Sequence, residues 1–234
     1  MNIIITGASS GVGFEAVIEL ALKPGHKIIA LARSHEKLKK LHEIATSLSP
    51  DCTLYPVAFD LVNDDLAALQ NFITARFDSR VDILINNAGA LINKPFAELE
   101  EVDFVEMLQS NFLSHVRITQ AMLPFIQAGA HIVNIGSMGG FQGSAKFKGL
   151  AAYSASKAAL HNFTETLANE LAEQQITVNC LALGSAQTEM LEKAFPGYQS
   201  PVMAFEMGKY IADFALTGSK FFNGKILPVA VTTP

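Results

Sequence analysis

The sequence predicts an α/β fold: one domain over residues 1–234, a doubly wound parallel sheet (Rossmann-like) with helices on both faces. Three observations predict it. Short apolar or β-branched runs alternate with helical patterns from end to end, the order that gives parallel strands joined by helical crossovers. The first run, Asn2-Ile3-Ile4-Ile5-Thr6, passes directly into Gly7-Ala8-Ser9-Ser10-Gly11-Val12-Gly13 and then a helical pattern, the context that a dinucleotide site requires. The chain has 234 residues, 50% hydrophobic and 17% charged, enough for one large core and too apolar for disorder.

Composition narrows the function. A net charge of -5 and the lack of a long Lys or Arg run argue against nucleic acid as a partner. Cys52 and Cys180 lie far apart, with no CxxC and no neighbouring His, and read as two reduced thiols of a cytoplasmic protein. The first apolar run begins beside Met1, which leaves no room for a signal peptide, and no stretch approaches membrane-span length. His26, His35, His42, His115, His131 and His161 have no metal-ligand spacing and default to core or surface positions. Ser137 lacks the G-x-S-x-G elbow of a hydrolase.

The expected elements follow in order. Asn2–Thr6 is a strand buried on both faces, and a helix runs from Phe14 to about Leu22. The glycines of the intervening GxxxGxG turn let the backbone approach a pyrophosphate at the helix N-terminus. Lys27–Leu31 is the second strand, ending in Ala32-Arg33-Ser34. Such a strand end faces the adenosine ribose, where an acid accepts from a 2′-hydroxyl and an Arg accommodates a 2′-phosphate. Arg33 has no acid beside it, which favours NADP(H) over NAD(H); the alternative is a solvated Arg at a helix start. Ser34 caps a helix with amphipathic spacing from Lys37 through Leu48.

Cys52–Phe59 is the third strand, ending in Asp60-Leu61. Asp60 either accepts from an adenine amino group or caps a helix from Val62 to Phe77. Val81–Ile85 is the fourth strand, and Asn86-Asn87-Ala88-Gly89 after it offers small residues past which a cofactor can run. Glu98–Phe125 reads as a long helix, broken once near its start and closed by Pro124 and Gly129. Asn111 is a polar exception inside it. His131–Ile135 is the fifth strand, with Gly136-Ser137 at the C-terminal end where open parallel sheets bind ligands. An irregular segment, Met138–Leu150, precedes a helix over Ala151–Ala168. Ile176–Ala182 is the sixth strand. Ser185–Ser200, with Pro196-Gly197 inside it, reads as a partly helical substrate lid. A helix over Val202–Leu216 and a strand over Gly224–Ala230 complete the chain.

Tyr153 and Lys157 sit four residues apart in the Ala151–Ala168 helix, so both leave the same face. A free phenol has a pKa of about 10, and a fixed ammonium beside it is expected to pull that value towards neutrality. Alone, such a pair also fits a core aromatic and a solvated amine.

The pieces Thr6–Gly13, Asp60-Leu61, Asn86–Gly89, Asn111, Ser137, Tyr153-Ser154-Ala155-Ser156-Lys157, Val178-Asn179 through Gly184, and Thr188, in this order and at strand ends, resemble the short-chain dehydrogenase/reductase family. The likeness runs from Thr6 to about Met190. It implies an NADP(H)-dependent oxidoreductase that interconverts a small-molecule carbonyl and alcohol. Gly7, Gly11 and Gly13, with Ser10 and Val12 between them, would form the pyrophosphate turn. Ser9 and Arg33 would meet the 2′-phosphate, Asp60 and Leu61 the adenine, Asn87, Ala88 and Gly89 the adenosine side, and Gly184 and Thr188 the carboxamide side. Tyr153 would be the general acid in reduction. Lys157 would lower its pKa and hold the nicotinamide ribose, Ser137 would hold the substrate oxygen, and Asn111 would anchor a water that links Lys157 to solvent. A homodimer or homotetramer, built on Asp103–Phe125 and Ala151–Glu173, is also implied.

Three departures stand out. Leu183-Gly184 replaces the family's Pro-Gly, the Ser137–Tyr153 segment is slightly long, and Val229–Pro234 replaces a C-terminal Asp-Gly-Gly stretch. The rival function is a non-catalytic NADP(H)-binding sensor or scaffold, which needs only the glycine turn and adenosine pocket. An epimerase or dehydratase would keep the fold and consume no net cofactor. Met190, Leu191, Phe195, Pro196, Tyr198 and Met203 fit either an apolar substrate pocket or simple packing of the lid.

Overall fold

The computed structural model describes residues 1–231. Its strands are β1 (Asn2–Thr6), β2 (Lys27–Ala32), β3 (Thr53–Ala58), β4 (Val81–Asn86), β5 (Ile126–Ser137), β6 (Thr177–Leu183) and β7 (Ile226–Val229). They form one sheet in the order β3-β2-β1-β4-β5-β6-β7, with every adjacent pair parallel. The helices are α1 (Gly11–Ala21), α2 (His35–Leu48), α3 (Leu66–Phe77), α4 (Glu101–Leu108), α5 (Ser114–Met122), α6 (Ala151–Glu170), α7 (Glu189–Ala194) and α8 (Ala204–Thr217).

The run of isoleucines in β1 explains the two-sided core. Successive strand side chains point to opposite faces. Ile3 and Ile5 pack with Ala16 of α1, Leu41 of α2 and Ile211 of α8, whereas Ile4 packs with Ile73 of α3, Ile118 of α5 and Leu167 of α6. Each buried isoleucine or leucine among them contributes roughly 1.5–3 kcal/mol. A methyl group on Gly208 of α8 would overlap Glu15 of α1, so a glycine sets this close helix crossing. Both outer strands carry a proline, Pro56 in β3 and Pro228 in β7.

The expected parallel sheet with helices on both faces is found, but several element boundaries differ. The third helix starts at Leu66, not Val62, because Asp65 caps it by accepting from the Ala67 amide at 2.9 Å. Asp60 caps no helix. It closes a turn instead, accepting from the Val62 amide at 2.9 Å while its own amide donates to Asp64 Oδ2 at 2.7 Å. The intervening Asn63, Asp64 and Asp65 compete with helical bonding through their side chains. The long helix over Glu98–Phe125 is in fact α4, a wider π-helical turn over Gln109–Leu113, and α5, with short 3₁₀ turns at Phe96–Glu98 and Leu123–Phe125. Gly129 lies inside β5, which begins five residues before His131; its amide donates to the Gln175 carbonyl at 2.9 Å. Residues 232–234, part of the atypical C-terminal stretch, lie outside the described residues. Among the described residues no helix is long and apolar enough to cross a membrane, and no His/Cys/Asp/Glu group is arranged to hold a metal.

Candidate active site

β1 and β4 are neighbours in the sheet but lie 75 or more residues apart in the chain, with Ile5 in register with Ile85. This is the switch point where strand order reverses, and a crevice opens beyond the strand ends there. Thr6 and Asn87 lock its two walls together. Buried Thr6 Oγ1 accepts from the amides of Asn87 (2.9 Å) and Ala88 (3.0 Å), and Asn87 Nδ2 donates to the carbonyls of Thr6 (3.0 Å) and Gly7 (3.1 Å). A Cβ on Gly13 would overlap that same amide and stand 2.5 Å from Gly7 O; one on Gly7 would stand 2.7 Å from Ala88 Cα. Gly7 and Gly11 also adopt positive φ, 68° and 58°, which favours glycine. Asn87 thus braces the turn from behind.

One cleft of about 390 Å³ at this edge collects the residues expected to bind cofactor or carry catalysis: Gly7, Ser9, Ser10, Gly11, Val12, Gly13, Arg33, Asp60, Leu61, Asn87, Ala88, Gly89, Asn111, Ser137, Tyr153, Lys157, Gly184 and Thr188; of the apolar lid residues only Met190 lines it. It also takes in Ala90, Glu106, Ser110, Ser114 and Glu189, which sequence patterns did not mark. The residues fit a dinucleotide. Ser10 opens α1 without capping it through its side chain, and no acid lies in the first turn, so the helix-end amides remain free for an anion. Exposed Arg33 stands at one end of the cleft beside Asp60, whose carboxyl is held below its usual range first by the Val62 amide, with Arg33 adding to the effect.

At the other end, α6 presents Tyr153 and Lys157. Lys157 is buried; its Nζ donates to the Ile135 carbonyl at 2.8 Å and lies 6.0 Å from the centre of the Tyr153 ring. Burial pushes the amine down to about 8. The Tyr153 phenol departs from the expectation: burial raises its pKa, and the Ser137 hydroxyl offsets this only in part. The lysine is directed at the strand end rather than at the phenol, so removal from water dominates. Ser137 ends β5, and its Oγ accepts from the Gly139 amide at 3.1 Å.

Asn111 sits in the π turn, fully buried. Its Oδ1 accepts from the Ala90 amide at 2.8 Å, and its Nδ2 donates to the Ala90 carbonyl and Ser156 Oγ, both at 3.0 Å. A Cβ on Gly89 would stand 2.7 Å from Asn111 Oδ1 and 3.6 Å from Lys157 Nζ. Single π turns inside helices frequently occur at functional sites. Two histidines near Lys157 had no sequence signal. His115 is fully buried, its Nε2 lies 2.7 Å from the Ala88 carbonyl, and burial followed by the Lys157 charge pushes it down to about 3. Burial pushes His161 down to about 4, with Lys157 adding to the effect. The Cys180 thiol, beneath the same strand end, is pushed up to about 12 by burial.

The 185–200 segment contains one short helix, α7, capped by Thr188 Oγ1, which accepts from the Leu191 amide at 3.2 Å. Asn93 Nδ2 donates to the Ala194 carbonyl at 2.6 Å, and Glu189 pairs with Lys37 at 3.0 Å. A Cβ on Gly11 would meet the Thr188 methyl at 3.3 Å, so this segment lies over the glycine turn.

The chain is similar to known proteins over most of its length. The family model described as short chain dehydrogenase matches residues 1–199. A Drosophila melanogaster dehydrogenase/reductase SDR family protein 7-like is 31% identical over 83% of this chain, which spans 60% of that protein's length. An uncharacterized oxidoreductase from Staphylococcus epidermidis is 28% identical over 94% of this chain and 92% of its own. Among solved structures, a short chain dehydrogenase from Shigella flexneri 2a, complexed with NADP, superposes with a TM-score of 0.85 at 26% identity, covering 97% of this chain and 95% of that one. The chain belongs to the short-chain dehydrogenase/reductase family of oxidoreductases.

Proposed function

We propose that the protein is an NADPH-dependent carbonyl reductase, with Tyr153 as proton donor. The observation that carries this reading is the convergence of Ser137, Tyr153 and Lys157 at one end of a cleft whose other end holds the glycine turn and Arg33. When bound, the reduced cofactor supplies hydride to the carbonyl carbon. Tyr153 holds a proton for the carbonyl oxygen. The phenol is protonated at neutral pH, the state a general acid needs, while burial, by raising its pKa, also makes it a weaker acid. The Ser137 hydroxyl meets the oxygen as charge develops on it. Lys157 would hold the nicotinamide ribose, its charge reaching the phenol only from 6.0 Å off the ring centre, and Asn111 would order the route from Lys157 to solvent. Arg33 and Ser9 supply the preference for a 2′-phosphate, and the NADP complex of the Shigella relative is in keeping with it.

The same reading places the protein in the cytoplasm, in keeping with its two free thiols. Assembly into a homodimer or homotetramer is proposed through α4, α5 and α6, supported by exposed Val102, Val105 and Leu113 on the first of these faces and the π turn; light scattering after gel filtration tests it. Turnover tests the activity. A panel of ketones and aldehydes is followed by the loss of nicotinamide absorbance, and Tyr153→Phe is expected to lower kcat by about 10²- to 10⁴-fold. Tight NADPH binding without turnover across the panel would favour the sensor instead.

A further inference from the structure

We propose that His161 is a positioning residue for Ser137: its Nε2 accepts the Ser137 amide hydrogen and so fixes the turn that aims the Ser137 hydroxyl into the cleft. The inference rests on the carbonyl-reductase reading of the same site.

The geometry comes from α6. His161 follows Tyr153 and Lys157 at the same four-residue interval, so all three leave one face of the helix. Its ring is buried and lodged between α6 and the end of β5. Gly136 makes this possible, since a Cβ there would overlap His161 Nε2 and stand 2.6 Å from Cys180 Sγ. From that position Nε2 receives the Ser137 amide at 3.4 Å. The Phe141 ring stands edge-on to the imidazole, with centroids 6.4 Å apart.

Ser137 is therefore held at two atoms. Its amide hydrogen goes to His161, and its Oγ accepts from the Gly139 amide at 3.1 Å. The O–H is left to donate. The short turn after it is pressed onto α6: a Cβ on Gly140 would stand 2.6 Å from Ala158 N. Rotation of the Ser137 backbone would break both bonds. The arrangement requires Nε2 to be unprotonated, so the ring proton resides on Nδ1. Burial and the Lys157 cation both oppose a second ring proton, which would set N–H against N–H at Ser137.

Two measurements test the assignment. The first is the ¹H–¹⁵N spectrum of histidine-labelled wild-type protein, with the His161 signals identified by their loss in His161→Gln. The expected result is the Nδ1–H tautomer; an Nε2–H tautomer overturns the proposal. This reading needs no substrate and no folded hydrophobic variant. The second is a double-mutant cycle in kcat. His161→Leu is expected to lower kcat about 10- to 100-fold while the NADPH KM stays within about twofold. In a Ser137→Ala background the same change should cost less than about twofold. His161→Gln, which keeps an acceptor, should recover much of the loss. Fully additive losses overturn the proposal. Inactive wild-type protein with the Nδ1–H tautomer would sink the reductase reading and not the contact, whereas an active enzyme with the Nε2–H tautomer would sink the His161 assignment alone.

Discussion

Lys157 Nζ donates to the Ile135 carbonyl at 2.8 Å and stands 6.0 Å from the centre of the Tyr153 ring. The amine is thus anchored to the end of β5, and its charge reaches the phenol only at a distance. Burial has already pushed it down to about 8. A lysine depressed in this way loses its proton as pH rises through that value. Since kcat/KM reports the free enzyme, its value for carbonyl reduction should fall as pH rises through about 8, and Lys157→Met should lower it by at least about 10². A flat profile from about pH 7 to 10 would show that the charge on Lys157 is not needed.

Gly13 has no room for a side chain, because a Cβ would overlap Asn87 Nδ2. Gly13→Ala should displace the Asn87 amide from the Thr6 and Gly7 carbonyls. The expected outcome is at least a tenfold weaker NADPH dissociation constant by fluorescence titration, with a stability loss of about 1–3 kcal/mol. Unchanged affinity would mean that the turn does not contact the cofactor.

Arg33 is exposed on the cleft, and the proposed function gives it the 2′-phosphate. Arg33→Ala should raise the NADPH KM by about tenfold, the loss of one charge-assisted contact, and leave the NADH KM unchanged. Equal effects on the two cofactors, or none on either, would remove Arg33 from phosphate recognition.

His115, His131 and His161 are buried, and burial pushes them down to about 3, 4 and 4 from an ordinary 6.5. The unfolded chain therefore binds more protons than the folded one between these values. Stability should be fully present above pH 6.5 and decline as pH falls towards 4, by as much as about 1.4 kcal/mol per unit for each histidine. Denaturant midpoints measured across this range test it; a midpoint that does not move between pH 6.5 and 4 would refute the burial of neutral rings.

Much of this was legible because local signals carry it. The Gly7–Gly13 turn is written in residues that tolerate positive φ, and the Tyr153–Lys157 spacing is that of a helix face. Strand alternation places Ile3 and Ile5 opposite Ile4. What escaped depends on partners distant in sequence. Asn111 stood out as a polar residue in a helix, but only its bonds to Ala90 and Ser156 show why the helix widens there. Asp60 is an equally good cap for a helix or a turn until Val62 and Asp64 are seen bonded to it. His115 and His161 sit on helices in patterns that an apolar residue would satisfy. Spacing also could not give the sign of the Tyr153 shift, because it does not weigh burial against a neighbouring charge.

The prolines of the two rim strands limit how copies of this molecule can meet. Pro56 and Pro228 each lack an N–H midway along an outer strand, so neither rim offers an unbroken row of donors to a second chain. Sheet-to-sheet extension, the usual route to fibrillar aggregates, is blunted on both sides.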